Sequence, residues 1–146
     1  MGIMNMIFSG KGQLPVVRRA AEFAEKRHKL IANNIANMDT PGYRAKDLDT
    51  RGFSRALRTA IDERDKHHPR RFEFKGGRNI DVGPDGKANY RTIVPRDSAA
   101  LRHDGNNVSV EHEMTKMVKN SFFYKFCTQR MRSSYRKLKS AVVGRS

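Results

Sequence analysis

Ser109 to Gly144 reads SVEHEMTKMVKNSFFYKFCTQRMRSSYRKLKSAVVG, and its apolar spacing decides the fold. Val110, Met114, Met117, Ser121, Tyr124, Thr128, Met131, Tyr135, Leu138 and Val142 follow at unbroken steps of four and three, the heptad rhythm of a coiled-coil seam. Ser109 is placed to cap the start, Glu111 and Glu113 complement the positive end of the helix dipole, and Gly144 supplies a stop. At 1.5 Å per residue a helix of about 35 residues is roughly 50 Å long. That exceeds what a domain of this size needs, so the spacing predicts a rod reaching beyond its own subunit.

A second long period lies at the other end of the chain. From Pro15 the positions Val17, Ala21, Ala24, His28, Ile31, Ile35 and Met38 form one helical stripe. Val16, Ala20, Phe23 and Leu30 widen it, which predicts packing against more than one neighbour. The helix stops within Asn37 to Tyr43, because Pro41 cannot continue it and Gly42 admits a positive φ. Phe53, Ala56, Leu57, Ala60 and Ile61 predict a shorter amphipathic helix over about Asp49 to Asp65.

Between Lys66 and Asn107 the punctuation of Pro69, Gly76-Gly77, Gly83-Pro84-Asp85-Gly86 and Pro95 forbids a long helix. Short extended pieces fit Arg71–Lys75, Asn79–Val82 and Asn89–Val94. A β-hairpin across Gly83–Gly86 is the alternative there, and a mobile loop is the expectation. The fold class expected is mainly α, with long N- and C-terminal helices pairing as an antiparallel coiled coil around a shorter helix and an irregular insert. The boundaries are a leader over residues 1–14, the N-terminal helix and turn over 15–43, the insert over 44–108 and the C-terminal helix over 109–146. All four belong to one structural domain.

Composition limits the chemistry. Thirty Lys and Arg against fifteen Asp and Glu leave a formal charge of +15, only 37% of residues are hydrophobic and none is Trp, so the core must be thin. The single cysteine, Cys127, excludes a disulfide framework within the chain and reads as a small hydrophobe at a helix interface. His67 and His68 sit in a basic loop, His112-Glu113 lacks the spacing of a helical metal motif, and His28 reads as a half-buried packing residue. Gly10-Lys11-Gly12 and Gly76-Gly77 lack the elements of a phosphate loop. Asp47, Asp49, Asp62, Glu63 and Asp65 read as solvated charge. No catalytic, cofactor or metal site is expected. Gly2 to Phe8 is apolar apart from Asn5 but has no basic residue before it, unlike a secretory signal, and no window reaches the length of a membrane span.

The charge itself is informative. After Glu113 nine basic residues follow with no acidic one. Such a helix repels itself and attracts polyanions, so a nucleic-acid or anionic-surface binding module is the alternative function. The unbroken heptads favour acidic neighbours in a protein assembly.

Ala32 to Asp49, ANNIANMDTPGYRAKDLD, resembles the N-terminal signature of bacterial flagellar axial proteins. Tyr43 to Asp49, together with Asp104-Gly105-Asn106-Asn107-Val108, Glu111, Glu113 and Met114, is similar to the proximal rod family within that group. The resemblance covers about residues 15–65 and 103–143. It implies a structural, non-enzymatic subunit of the basal-body rod, exported by the flagellar type III apparatus into a periplasmic shaft that transmits torque. The partners it implies are further copies of the chain, other rod proteins, the adaptor FliE, the membrane ring protein FliF and the export gate, with terminal helices that order on assembly. It also implies that Asn34, Asn37, Thr40, Pro41, Gly42 and Tyr43 form a subunit-interface motif. Val17, Ala24, Ile31 and Ile35 would then share the seam with Val110, Met114, Met117, Tyr124, Met131, Tyr135, Leu138 and Val142, where flexible thioethers adapt to non-equivalent contacts.

Overall fold

A computed structural model describes residues 14–67, 72–95, 103 and 105–144. Among these the chain is mainly helical: α1 spans Leu14–Ala36, α2 Thr50–His67 and α3 Val110–Val143. Four short strands lie between them: β1 Asp47–Leu48, β2 Ile80–Val82, β3 Ala88–Tyr90 and β4 Thr92–Ile93. β2 and β3 form an antiparallel hairpin with Asp81 opposite Asn89, and β1 pairs antiparallel with β4, Leu48 opposite Thr92. The leader to residue 13, His68 and Arg71 lie outside the described residues.

Two apolar stripes explain why α1 is central. Val16 and Phe23 face a core completed by Leu48, by Phe53, Leu57, Ala60 and Ile61 of α2, and by Phe74, Ile80 and Ala88 of the insert. The Phe23 and Phe53 rings stack at 4.1 Å with 7° between their planes, and Tyr90 meets Phe23 edge-on at 5.3 Å. Burying a side chain such as Phe53 stabilises the fold by about 1.5–3 kcal/mol, and Phe53 is fully buried. Val17, Ala20 and Ala21 turn the other way, onto Cys127 of α3, with Phe123, Phe126 and Met131 packed alongside.

The insert is ordered between Phe72 and Pro95, which corrects the expectation of a mobile loop over that stretch. Its anchors are long-range. Arg19 Nη2 donates to the Gly86 carbonyl at 2.8 Å, and Lys26 Nζ donates to the Ala88 carbonyl at 2.7 Å while lying 5.0 Å from the centroid of the Tyr90 ring. Gly76 has φ +80°, and a Cβ there would lie 2.3 Å from the Ile80 carbonyl oxygen, so only glycine fits the approach to the hairpin.

Two further expectations are corrected. His28 is exposed, because the apolar stripe of α1 divides around it toward two partners. Asp47 is buried and Asp49 half-buried: Arg27 grips Asp47 through two bonds of 2.8 and 2.7 Å, and Asp49 Oδ1 accepts the Gly52 N–H at 2.7 Å as the cap of α2.

Candidate assembly interface

The end of α1 is a knot of amides. Thr40 to Tyr43 form a turn closed by the Tyr43 N–H on the Thr40 carbonyl at 3.2 Å, with Pro41 at the second position and Gly42 at φ +71° in the third, as a type II turn requires. Asn34 is fully buried and fully partnered. Its Nδ2 donates to the Lys46 carbonyl at 2.7 Å and to Glu113 Oε2 at 2.8 Å, and its Oδ1 accepts the Tyr43 hydroxyl at 3.0 Å and the Lys46 N–H at 3.1 Å. Asn37 Nδ2 donates back to the Asn33 carbonyl at 2.8 Å, and the Thr40 hydroxyl donates to Asn37 Oδ1. Burial raises the Tyr43 phenol above its ordinary range, against the Asn33 amide that donates to its oxygen.

The segment before α3 completes the knot. Asn106 is fully buried, and its Nδ2 reaches the carbonyls of Asn37, Met38 and Thr40 at 3.1, 2.9 and 2.9 Å, tying the turn past the end of α1 to the segment before α3. Asn107 Oδ1 accepts the Ala45 N–H at 2.7 Å. Gly105, at φ +78°, would place a Cβ 3.6 Å from the Cα of Gly42, so the two loops meet backbone on backbone. Below them Lys116 Nζ donates to Glu113 Oε1 at 2.8 Å and lies 3.9 Å from Asp47, making a charge-balanced group with Arg27.

Of the residues expected at a subunit interface, Asn34 and Tyr43 therefore spend their polar groups inside the chain, Asn37 is half-buried, and Thr40, Pro41 and Gly42 are exposed together at the tip. The sequence assigns Asn106 and Asn107 to a turn and Glu113 to the start of α3, beside their place in the resemblance, and gives Asn120 no role. Their signal was a polar period: Glu113, Asn120 and Cys127 are seven residues apart and are the buried positions of α3.

That period sets which side of α3 meets α1. Asn34 meets Glu113, Asn120 Nδ2 donates to the Ala24 carbonyl at 2.8 Å, and Cys127 meets Val17 to Ala21, so contacts run along α1 and α3 in opposite chain order. Val17, Ala24 and Ile31 are buried, and Ile35, Met117 and Met131 are half-buried. Val110, Met114, Tyr124, Tyr135, Leu138 and Val142 are exposed, because the side of α3 facing α1 is turned by about one residue from the purely apolar line. Burial pushes the Cys127 thiol up to about 12, as befits a packing group.

What remains open is a long apolar surface on α3. Val110, Met114, Val118 and Phe122 recur every fourth residue, with Val118 54% and Phe122 69% exposed, and Tyr135, Leu138 and Val142 are exposed on another side of the outer helix. Exposed side chains of this size at successive i, i+4 steps from Val110 to Phe122 mark a protein contact. Among the described residues no three His, Cys, Asp or Glu side chains converge as a metal site, and no helix is long and apolar enough to cross a membrane.

A family model described as flagella basal body rod protein matches residues 18–44, which is α1 through the Thr40–Tyr43 turn. Flagellar basal body rod protein FlgB of Bacillus subtilis (strain 168) is 32% identical over 134 residues, covering 91% of this chain and 95% of that protein. FlgB of Aeromonas hydrophila is 30% identical over 86% of this chain and 88% of its own, and FlgB of Aquifex aeolicus (strain VF5) 27% over 88% and 91%. With the matched turn seated in its knot and the alignment running nearly end to end, the chain belongs to the FlgB family of flagellar basal body rod proteins.

Proposed function

We propose that this chain is a structural subunit of the proximal rod, joining the membrane ring and export gate to the more distal rod and carrying torque by passive packing. The observation that carries this reading is the exposed apolar strip of α3 in a chain of a rod-protein family. Subunits of a shaft must leave such a strip for their neighbours, and helices that interdigitate side by side resist relative rotation. In this reading α1 and α3 pair as an antiparallel coiled coil within the subunit, and the exposed side of α3 enters a second set of coiled-coil contacts with sister copies. Thr40, Pro41 and Gly42 present a rigid tip to an adjacent subunit, backed by the Asn34 and Asn106 network. Other rod proteins, FliE, FliF and the export gate are the partners, and the rod lies in the periplasm after type III export.

The test is a paired substitution on the strip, Val118→Asp with Phe122→Asp, introduced into cells lacking their own copy. Both side chains are exposed, so the purified variant keeps the helicity and melting temperature of the parent while rods fail to assemble and motility is lost. Normal swimming in that strain would refute the reading.

A further inference from the structure

α2 and α3 each pack on α1 and leave between them a cleft of 480 Å³. Arg51, Arg55 and Arg58 line one wall at helical spacing i, i+4, i+7, Lys119 stands on the other, and Phe23 and Phe123 contribute apolar carbon. No Asp or Glu lines it. The three arginines belong to α2's first half, a row about 10 Å long at the rise of a helix, with the capping Asp49 just before it and Asp62, Glu63 and Asp65 beyond it.

We propose that this cleft receives an acidic amphipathic helix from another protein of the assembly. Arg51 and Arg55 match carboxylates at i, i+4 on a partner helix, each able to be held by paired N–H donors. The two Phe rings select the rest of the occupant. A phosphate backbone gains nothing from aromatic carbon at the base of a cleft, whereas a helix with an aliphatic stripe beside its carboxylates buries that stripe there. Charge complementarity points the same way: a chain of formal charge +15 stacked on its own copies accumulates repulsion, and an acidic helix seated between α2 and α3 offsets part of it beside Arg51, Arg55 and Lys119. The inference rests on the rod reading for the source of the helix, but its binding site is a property of the single chain.

The experiment uses the full chain and a fluorescent amphipathic peptide of about 18 residues, with Glu at the arginine spacing and Leu on the adjoining stripe, at about 0.15 M salt. The expected result is binding about tenfold or more tighter than that of the Glu→Gln peptide. Arg51→Gln with Arg55→Gln and Lys119→Gln, all exposed residues, weakens binding by about tenfold. Arg132→Gln with Arg136→Gln and Lys139→Gln removes the same charge from the outer part of α3 and changes it by less than about twofold. Equal loss in both triple variants would mean that net charge alone attracts the peptide and would overturn the proposal. So would a DNA duplex or anionic phospholipid vesicles that bind more tightly than the peptide and are lost on the same cleft substitutions. Hydrogen exchange on the unaltered chain gives an answer without any variant, since bound peptide must slow amides within 50–58 and 119–123. Peptide binding can fail while the Val118 and Phe122 substitutions still abolish rods, so the two readings fail separately.

Discussion

Asn106 shows how much one amide does here. Its two hydrogens serve three carbonyls of the α1 terminus and its oxygen accepts the Val108 N–H at 2.7 Å, so Asn106→Ala removes four bonds at once and leaves the buried Val108 N–H without this acceptor. We expect a loss of about 1–3 kcal/mol in urea unfolding, the usual penalty for unsatisfied buried groups, with little change in the slope of the transition. Asp49 gives a pH-dependent counterpart. The Gly52 N–H, with the Asn79 amide adding to it, holds its carboxyl below the ordinary carboxylate range. A depressed folded-state value contributes stability that is complete above the unfolded value, about 4, and is lost as pH falls through the folded value. Asp49→Asn keeps a capping oxygen without the charge, so the variant is less stable at neutral pH and the gap to the parent closes on acidification, which unfolding at pH 7 and about pH 3 measures. The type II turn at Pro41-Gly42 was legible because its backbone demand is local. The role of Asn106 was hidden, because a turn-forming Asn-Asn pair looks the same whether its amide meets water or a helix end 69 residues away.

The helices divide differently from their sequence periods. α1 resolves into two buried stripes and is satisfied within the chain, which corrects the expectation that both terminal rods lack an environment when alone. α3 keeps that incompleteness: its inner part, from Glu113 to Met131, rests on α1, while Arg132 and the residues from Tyr135 to Val143 are exposed. Hydrogen exchange of the monomer should therefore find slow amides in α1 and the inner part of α3 and fast exchange over 132–143, with protection of that outer stretch appearing only in assembled rods. Uniform protection along α3 in the monomer would contradict this. The existence of α3 and both its caps was readable from spacing, but the facing side was not. Apolar residues surround much of the helix, so the polar Glu113 and Asn120 decide which side meets α1, and a count of apolar positions passes over them.

Taken together, the folded chain is a well-filled inner body with a protruding cationic helix. The mainly helical class and the three helices follow from periodicity. The hairpin does not, because its order comes from Arg19 and Lys26 on α1 gripping the Gly86 and Ala88 carbonyls across more than 60 positions. Distance along the chain has a temporal side as well. The bonds that finish the α1 terminus come from Asn106 and Glu113, 69 and 79 positions downstream of Asn37 and Asn34. Any machine that delivers this polypeptide starting from its amino end, whether a ribosome or a secretion channel, thus holds a first helix with a frayed tip until the final third arrives. Folding waits for the latecomer, and a narrow conduit has until then to thread the chain.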